Sequence, residues 1–157
     1  MRMLSFFRKK EKILPPTNNF SLLINRRAED FRAFYAERFG SRMDFQFSSL
    51  NIIDTILEET RSSDASADRR EWLSVHGGAY LYKIASLRIS QFQYIWYHPL
   101  DQPMMVVGSP DYRISLLAQE AINQRLAVFR DTNLHQLFVN FETALVYAKK
   151  GDDMLFV

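Results

Sequence analysis

The spacing of apolar positions changes twice along the chain, and these changes predict the order of helices and strands. Up to residue 88, apolar side chains recur every three or four positions, which is typical of amphipathic helices. Three helices are predicted, over 20–39, 48–60 and 68–88. Gly40 ends the first, and the serine- and aspartate-rich loop 61–70 separates the second from the third.

A spacing of two follows in the aromatic stretch 92–97, which predicts a strand. One face of this strand is predicted to hold Phe92, Tyr94 and Trp96. The opposite face is predicted to hold Gln91, Gln93, Ile95 and Tyr97. Apolar stretches 104–107 and 112–117 follow proline-containing turns and predict two further strands of an antiparallel meander.

Two helices are predicted after the meander. One covers 118–129, with Phe129 on its apolar side, and the other starts from a cap at Asp131 or Thr132. The apolar residues 154–157 either add a strand or pack against the core. The fold is thus predicted as α+β: three helices, a three-strand antiparallel meander, then two helices.

The length of 157 residues fits one domain, which is predicted to cover 20–157. Residues 1–19 are predicted to be a flexible basic N-terminal tail, because Pro15-Pro16 interrupts any helix there. Residues 1–12 hold five basic groups and one acidic group. The other 145 residues hold 15 basic and 17 acidic groups, so the body is close to neutral although the chain as a whole carries +2.

A near-neutral body argues against a nucleic-acid partner, because such proteins carry basic residues across a folded face. The apolar runs are far shorter than the ~20 residues that a membrane-spanning helix needs, so no stable membrane insertion is predicted. The chain has no cysteine and no signal-peptide pattern at its start. These features together predict a cytoplasmic protein.

Candidate chemistry is sparse. His76, His98 and His135 lack the spacing of a helical metal site, and the chain has no Gly-x-Ser-x-Gly sequence to present a catalytic serine. Gly77-Gly78 lies inside a helical pattern and not after a strand, so it does not predict a phosphate loop. The sequence therefore predicts no catalytic residue, no metal and no cofactor.

Two glycines inside a helix cost roughly 1 kcal/mol each relative to alanine. Such a cost is offset where another backbone approaches too closely for a Cβ atom. The pair Gly77-Gly78 therefore predicts that the third helix passes close under the sheet, with one glycine facing another backbone.

The aromatic strand and the turn after it carry residue types that dominate protein–protein interfaces. The same types also suit a core, and both interpretations remain open. The residues predicted to contact a protein partner are Tyr94, Trp96, Tyr97, His98 and Met104.

Several short motifs resemble a loose group of uncharacterised bacterial domains, in which a His-Gly-Ala-Tyr-Leu-Gly-Glu-type helix precedes a small sheet. The resemblance covers about residues 28–147. The segments that carry it are His76-Gly77-Gly78-Ala79-Tyr80-Leu81, Ile114-Ser115-Leu116-Leu117, Asn123-Gln124-Arg125-Leu126 and the helix start within 45–54. This chain has Tyr82-Lys83 in place of Gly-Glu and an extra glycine, so the acid of that helix is missing.

Domains of that group often look like parts of bacterial toxin–immunity systems. The resemblance therefore implies a non-enzymatic, protein-binding immunity protein that neutralises a cognate bacterial toxin. One alternative is an adaptor or effector chaperone that docks through the basic N-terminal segment. Another is a small-ligand or enzymatic domain that uses the Gly77-Gly78 region with His76 or His98.

Overall fold

The structure is a computed structural model, and it describes residues 12–13 and 18–157. The helices are α1 (Asn18–Phe39), α2 (Leu50–Arg61), α3 (Ala67–Arg88), α4 (Ala118–Ala127) and α5 (Leu134–Val146). The strands are β1 (Lys12–Ile13), β2 (Gln93–Tyr97), β3 (Gln102–Val107), β4 (Arg113–Leu116) and β5 (Asp153–Phe156). The predicted tail, residues 1–19, lies outside the described residues except for β1 and the first two residues of α1.

The predicted α+β class is confirmed, but the sheet is larger than the predicted meander. Strands β2, β3 and β4 form that antiparallel meander, and β1 pairs antiparallel with β2, with Lys12 opposite Trp96. Strand β5 pairs parallel with β4, with Leu155 opposite Ser115. The strand order is β1-β2-β3-β4-β5, and α4 and α5 supply the long crossover that a parallel neighbour requires.

A turn at Gly151 brings the chain back to the sheet. Gly151 has a φ of +94°, a conformation that favours glycine, and its N–H donates to the carbonyl oxygen of Asp111 at 2.8 Å. The N–H of Arg113 donates to the carbonyl oxygen of Asp152 at 2.8 Å. These bonds join the turn to the start of β4 and set the parallel register of β5.

Helix α3 lies at the centre of the helical layer. Residues 77–82 are buried without interruption, which a helix shows when neighbours surround it. Helix α1 packs along one side of α3 and α4 along another. The burial pattern of α3 is therefore that of a central helix with neighbours on several sides. The spacing of its apolar residues in the sequence predicts only a single apolar stripe.

The close approach predicted at the double glycine is confirmed at Gly78, but its neighbour is a helix. A Cβ atom added to Gly78 would lie 2.9 Å from both the Cα and the N atom of Gln119, at the start of α4. A Cβ atom added to Gly77 would meet side chains only, at 2.8 Å from Cδ1 of Ile122 and 3.3 Å from Cε2 of Phe31. Thus α3 packs against the backbone of α4 at Gly78, and the backbone that this glycine faces belongs to a helix and not to the sheet.

One turn beyond Gly78, Tyr82 ties α3 to the sheet and to α4. Its hydroxyl lies 2.7 Å from the carbonyl oxygen of Pro103 and 3.1 Å from that of Leu116. The same hydroxyl accepts the N–H of Ala118 at 3.1 Å. Because the side chain is buried, no water replaces these partners, and burial raises the pKa of Tyr82 well above its ordinary value.

We expect Tyr82→Phe to lower the free energy of unfolding by about 1–3 kcal/mol, because the buried N–H of Ala118 loses its acceptor. Urea unfolding at neutral pH measures the change. Tyr94→Phe is the matched control: Tyr94 is also buried, and its hydroxyl has no hydrogen bond to any described residue. Equal losses in the two variants would show that the hydrogen bonds of Tyr82 contribute little.

The sheet has two buried faces. The helices cover the first face, to which Tyr94, Met105, Ile114, Leu116 and Phe156 contribute. The opposite face, called the second face below, is formed by Ile95, Tyr97, Met104, Val106 and Leu155. The predicted alternation along β2 is confirmed, since Tyr94 and Ile95 lie on different faces. In residues 18–157, no helix combines the length and the apolar character needed to cross a membrane.

Candidate functional site

The connection between α4 and α5, residues 128–133, presents large apolar side chains to solvent and is called the α4–α5 loop. Val128 is 58% exposed and Phe129 is 69% exposed. The prediction that the helix extends through Phe129 is wrong, because Val128 has an extended backbone (φ −144°, ψ 155°) that ends α4 at Ala127. Phe129 consequently points away from the core instead of extending the apolar face of α4.

The buried side chain of Arg125 holds this loop from inside. Its Nε and Nη2 atoms donate to the carbonyl oxygen of Thr132, at 3.1 and 2.8 Å. Its Nη1 atom donates to the carbonyl oxygen of Ala121, at 2.9 Å. Arg125 is only 4% exposed. Burial, followed by repulsion from Arg130, lowers its pKa to about 10, and Asp54 partly opposes this effect.

Two more arginines hold the end of α4. Nη1 of Arg61 donates to the carbonyl oxygen of Arg125 at 3.2 Å, and Nη1 of Arg70 donates to that of Leu126 at 3.2 Å. The last carbonyl groups of a helix lack partners within the helix, and these guanidinium groups supply them. Arg61 also lies over the ring of Phe129, with Cζ 5.5 Å from the ring centroid.

The far end of the loop is fixed by Asp54, a residue of α2. Its Oδ1 accepts the N–H of Leu134 at 2.8 Å and its Oδ2 accepts that of His135 at 3.3 Å. Asn133 caps the same helix by accepting the N–H of Gln136, so the predicted cap at Asp131 or Thr132 is wrong. Burial raises the pKa of Asp54, while its bonds to Leu134 and His135 act in the opposite direction.

Two adjoining cavities flank Phe129. One, of about 470 Å³, lies between the loop and the end of β5, where Leu155 and Phe156 contribute to its wall. The other, of about 250 Å³, lies between the loop and α2. Both are lined by Arg125, Phe129, Arg130 and Asp131. Phe129 therefore stands as an apolar projection between the two cavities.

The smaller cavity is lined by charges of both signs in equal number. They are Arg61, Arg125 and Arg130, and Asp54, Glu58 and Asp131. Such a set can form ion pairs with a surface of mixed charge. Among residues 12–13 and 18–157, no group of three or more histidine, aspartate or glutamate side chains is arranged to hold a metal ion.

The structure does not bring the five predicted partner-binding residues to one surface. Tyr94 is buried on the first face, and Tyr97 and Met104 are buried on the second. Trp96 is half-buried and donates from Nε1 to Oδ1 of Asp101 at 3.0 Å, and His98 is exposed in the following turn. Partner binding at these positions stays a prediction, which rests on Trp96 and His98 for direct access to solvent.

The alternative site around Gly77-Gly78 is filled by packing. Both glycines are buried against α1 and α4, and His76 stacks on Trp72 with ring centroids 4.6 Å apart. Nδ1 of His76 lies 3.0 Å from the carbonyl oxygen of Trp72. Neither His76 nor His98 lines any of the four cavities described in residues 18–157.

The sequence analysis missed the α4–α5 loop because the spacing of Ile122, Leu126 and Phe129 continues a helical pattern. The sequence feature that indicates the loop is the run of four polar residues from Arg130 to Asn133, because such a run is typical of the end of a helix. No protein-family model, curated protein or solved structure matches the chain.

Proposed function

We propose that this chain is a non-enzymatic protein-binding domain, and that the α4–α5 loop is the centre of its interface. The observation that supports this most directly is the exposure of Phe129 on a loop fixed at both ends. An apolar ring held in water by an ordered backbone contributes nothing to the core. Such a ring suits a partner that covers it.

The loop has the properties of an interface hot spot. Such sites are enriched in aromatic residues and arginine, and Phe129 is flanked by Arg61 and Arg130. Because Arg125 and Asp54 already fix the backbone, binding would cost little ordering of the loop. The two cavities beside Phe129 would receive side chains of the partner.

The charges around the loop favour a protein over a polyanion. Nucleic acids are bound by basic residues in excess, whereas the smaller cavity holds arginines and carboxylates in equal number. A set of mixed charges binds a partner with complementary charges and repels proteins whose charges are placed differently, which gives specificity.

The resemblance to toxin–immunity domains supports a narrower proposal, in which the partner is a cognate bacterial toxin in the cytoplasm. In that role the domain would bind the toxin and block its activity, without performing chemistry of its own. The distinguishing test is whether a protein encoded beside this chain binds it in a one-to-one complex and is inhibited by it. If no neighbouring gene product binds, the toxin proposal is wrong.

We expect Phe129→Ala to weaken binding to such a gene product by about 2 kcal/mol or more, roughly thirtyfold, because truncating a central aromatic anchor has effects of this size. Titration calorimetry with the purified neighbouring protein measures the change. Since Phe129 is 69% exposed, the free energy of unfolding of the Phe129→Ala variant should differ little from that of the original chain.

Tyr147→Ala is the matched control, because Tyr147 is 73% exposed at the end of α5. This variant should bind as tightly as the original chain. If Trp96→Ala and His98→Ala weaken binding while Phe129→Ala does not, the interface lies at the end of β2. The α4–α5 loop would then have no part in it.

A further inference from the structure

The larger of the two cavities beside Phe129 carries an excess of positive charge. Its charged lining residues are Arg125, Arg130 and Asp131, so arginines outnumber carboxylates by two to one. In the smaller cavity the two kinds of charge are equal in number. Among the residues that the structure describes, no carboxylate forms an ion pair with Arg125 or Arg130. An anionic group that enters the larger cavity therefore meets two guanidinium groups without a carboxylate bound to either.

Arg125 keeps hydrogen-bond donors for a further acceptor. An arginine side chain has five N–H groups. Three of those on Arg125 are used within the chain, because Nε and Nη2 donate to Thr132 and Nη1 donates to Ala121. One N–H group on each Nη atom has no acceptor in residues 12–13 and 18–157. Two terminal N–H groups of a guanidinium can bind both oxygens of one carboxylate, which gives a strong and directional contact.

Arg130 strengthens the attraction of this cavity for an anion. Burial and, next, repulsion from Arg130 lower the pKa of Arg125 to about 10. The two guanidinium groups are therefore close enough to repel each other, and a carboxylate near both would relieve the repulsion. Because Arg125 is buried, little water screens its charge, and its attraction for a carboxylate is stronger than that of an arginine on an open surface.

The rest of the cavity wall suits a side chain that has apolar groups as well as a charge. Leu137 and Phe156 contribute apolar surface, and the volume of about 470 Å³ is within the range of cavities that bind ligands. A glutamate side chain combines methylene groups with a carboxylate, so it matches both parts of the wall. A polyanion is a poorer fit, because its binding depends on many basic residues and this cavity has two.

We propose that the larger cavity is a carboxylate-binding subsite, and that the protein partner places a glutamate side chain in it when it covers Phe129. This assignment rests on the proposed function, because the subsite belongs to the interface centred on the α4–α5 loop. Arg125 binds the carboxylate oxygens through its two remaining N–H groups, and the exposed Arg130 adds a second charge-assisted contact.

Titration of the full-length, nitrogen-15-labelled chain with N-acetylglutamate N-methylamide tests the subsite by NMR. The signals to follow are those of the Nε–H group of Arg125 and of the backbone amides of residues 128–133. We expect shifts that saturate, with a dissociation constant on the order of 10 mM, as for one charge-assisted pair. The uncharged N-acetylglutamine N-methylamide, which has nearly the same shape, should cause no saturating shift at the same ionic strength.

Arg130→Gln should weaken binding of the glutamate compound roughly threefold, since an exposed charge contributes modestly to such a contact. Lys150→Gln is the matched control, because it removes the same charge from an exposed residue that lines none of the four cavities described in residues 18–157. This control should leave the dissociation constant unchanged. Both substituted residues are exposed, so both variants should fold as the original chain does.

Shifts that do not saturate, or that the glutamine compound reproduces, would overturn the subsite. Equal weakening in Arg130→Gln and Lys150→Gln would overturn it as well, because binding would then follow the net charge of the chain and not the cavity. Neither result bears on the proposed interface, which the calorimetry of Phe129→Ala with the neighbouring protein tests separately. A neighbouring protein that binds while the glutamate compound does not would leave the interface in place without a carboxylate subsite.

Discussion

Gly78→Ala should lower the free energy of unfolding by about 2 kcal/mol, the middle of the range for overpacked cores, even though alanine favours helix by roughly 1 kcal/mol. The added Cβ would lie 2.9 Å from the Cα and N atoms of Gln119, and backbone atoms cannot turn away as a side-chain tip can. For a chain of this size, the melting temperature should fall by about 4–8 °C. Thermal melting followed by circular dichroism measures it.

Gly77→Ala is the matched control one position earlier in α3. Its added Cβ would meet Cδ1 of Ile122, the end of a flexible side chain that can change rotamer. We expect its stability to change by no more than about 1 kcal/mol in either direction, since the helix propensity gained offsets the repacking. If Gly78→Ala melts as high as the original chain or higher, α3 and α4 do not pack as closely as described.

Features encoded by local spacing were predictable from the sequence. The alternation along β2 places Tyr94 and Ile95 on opposite faces, and the structure confirms it. The cost in helix stability of two glycines indicates that another backbone lies close by. At Gly78 that backbone is the one at Gln119. In each case a short run of residues contains both the signal and its physical cause.

Features that depend on distant residues were not predictable. Strand β5 pairs with β4 across about 40 residues, and nothing in its own four residues distinguishes a strand from a packed terminus. Asp54 caps a helix that begins 80 positions later. The end of α4 at Ala127 depends on Arg61, Arg70 and Arg125, whose charges give no sign in the sequence that they bind backbone carbonyls.

The candidate site follows from these distant contacts more than from its own sequence. Val128 and Phe129 would belong to an apolar helix face if α4 continued, and the arginines and Asp54 instead hold them in a loop. The aromatic strand, whose sequence suits either a core or an interface, has Tyr94 buried under the helices. Aromatic content alone therefore does not locate an interface, because the core uses the same residues.

Arg125→Ala should have the largest effect at the site, a loss of about 2–3 kcal/mol in the free energy of unfolding. The carbonyl oxygen of Thr132 would lose two charged donors, each such hydrogen bond being worth about 1.5–3 kcal/mol, and a cavity would remain. The relief of a buried charge, seen in the lowered pKa of Arg125, offsets part of this loss.

The same variant should release the α4–α5 loop. Amide hydrogen exchange in residues 128–133 should become faster, because the arginine that fixes Thr132 is gone while Asp54 still holds Leu134. Arg130→Ala is the control: Arg130 lines both cavities but is exposed, so stability and exchange should stay close to those of the original chain. If Arg125→Ala behaves like Arg130→Ala, the guanidinium group of Arg125 does not fix the loop, and the contacts of Asp54, Arg61 and Arg70 are sufficient to hold it.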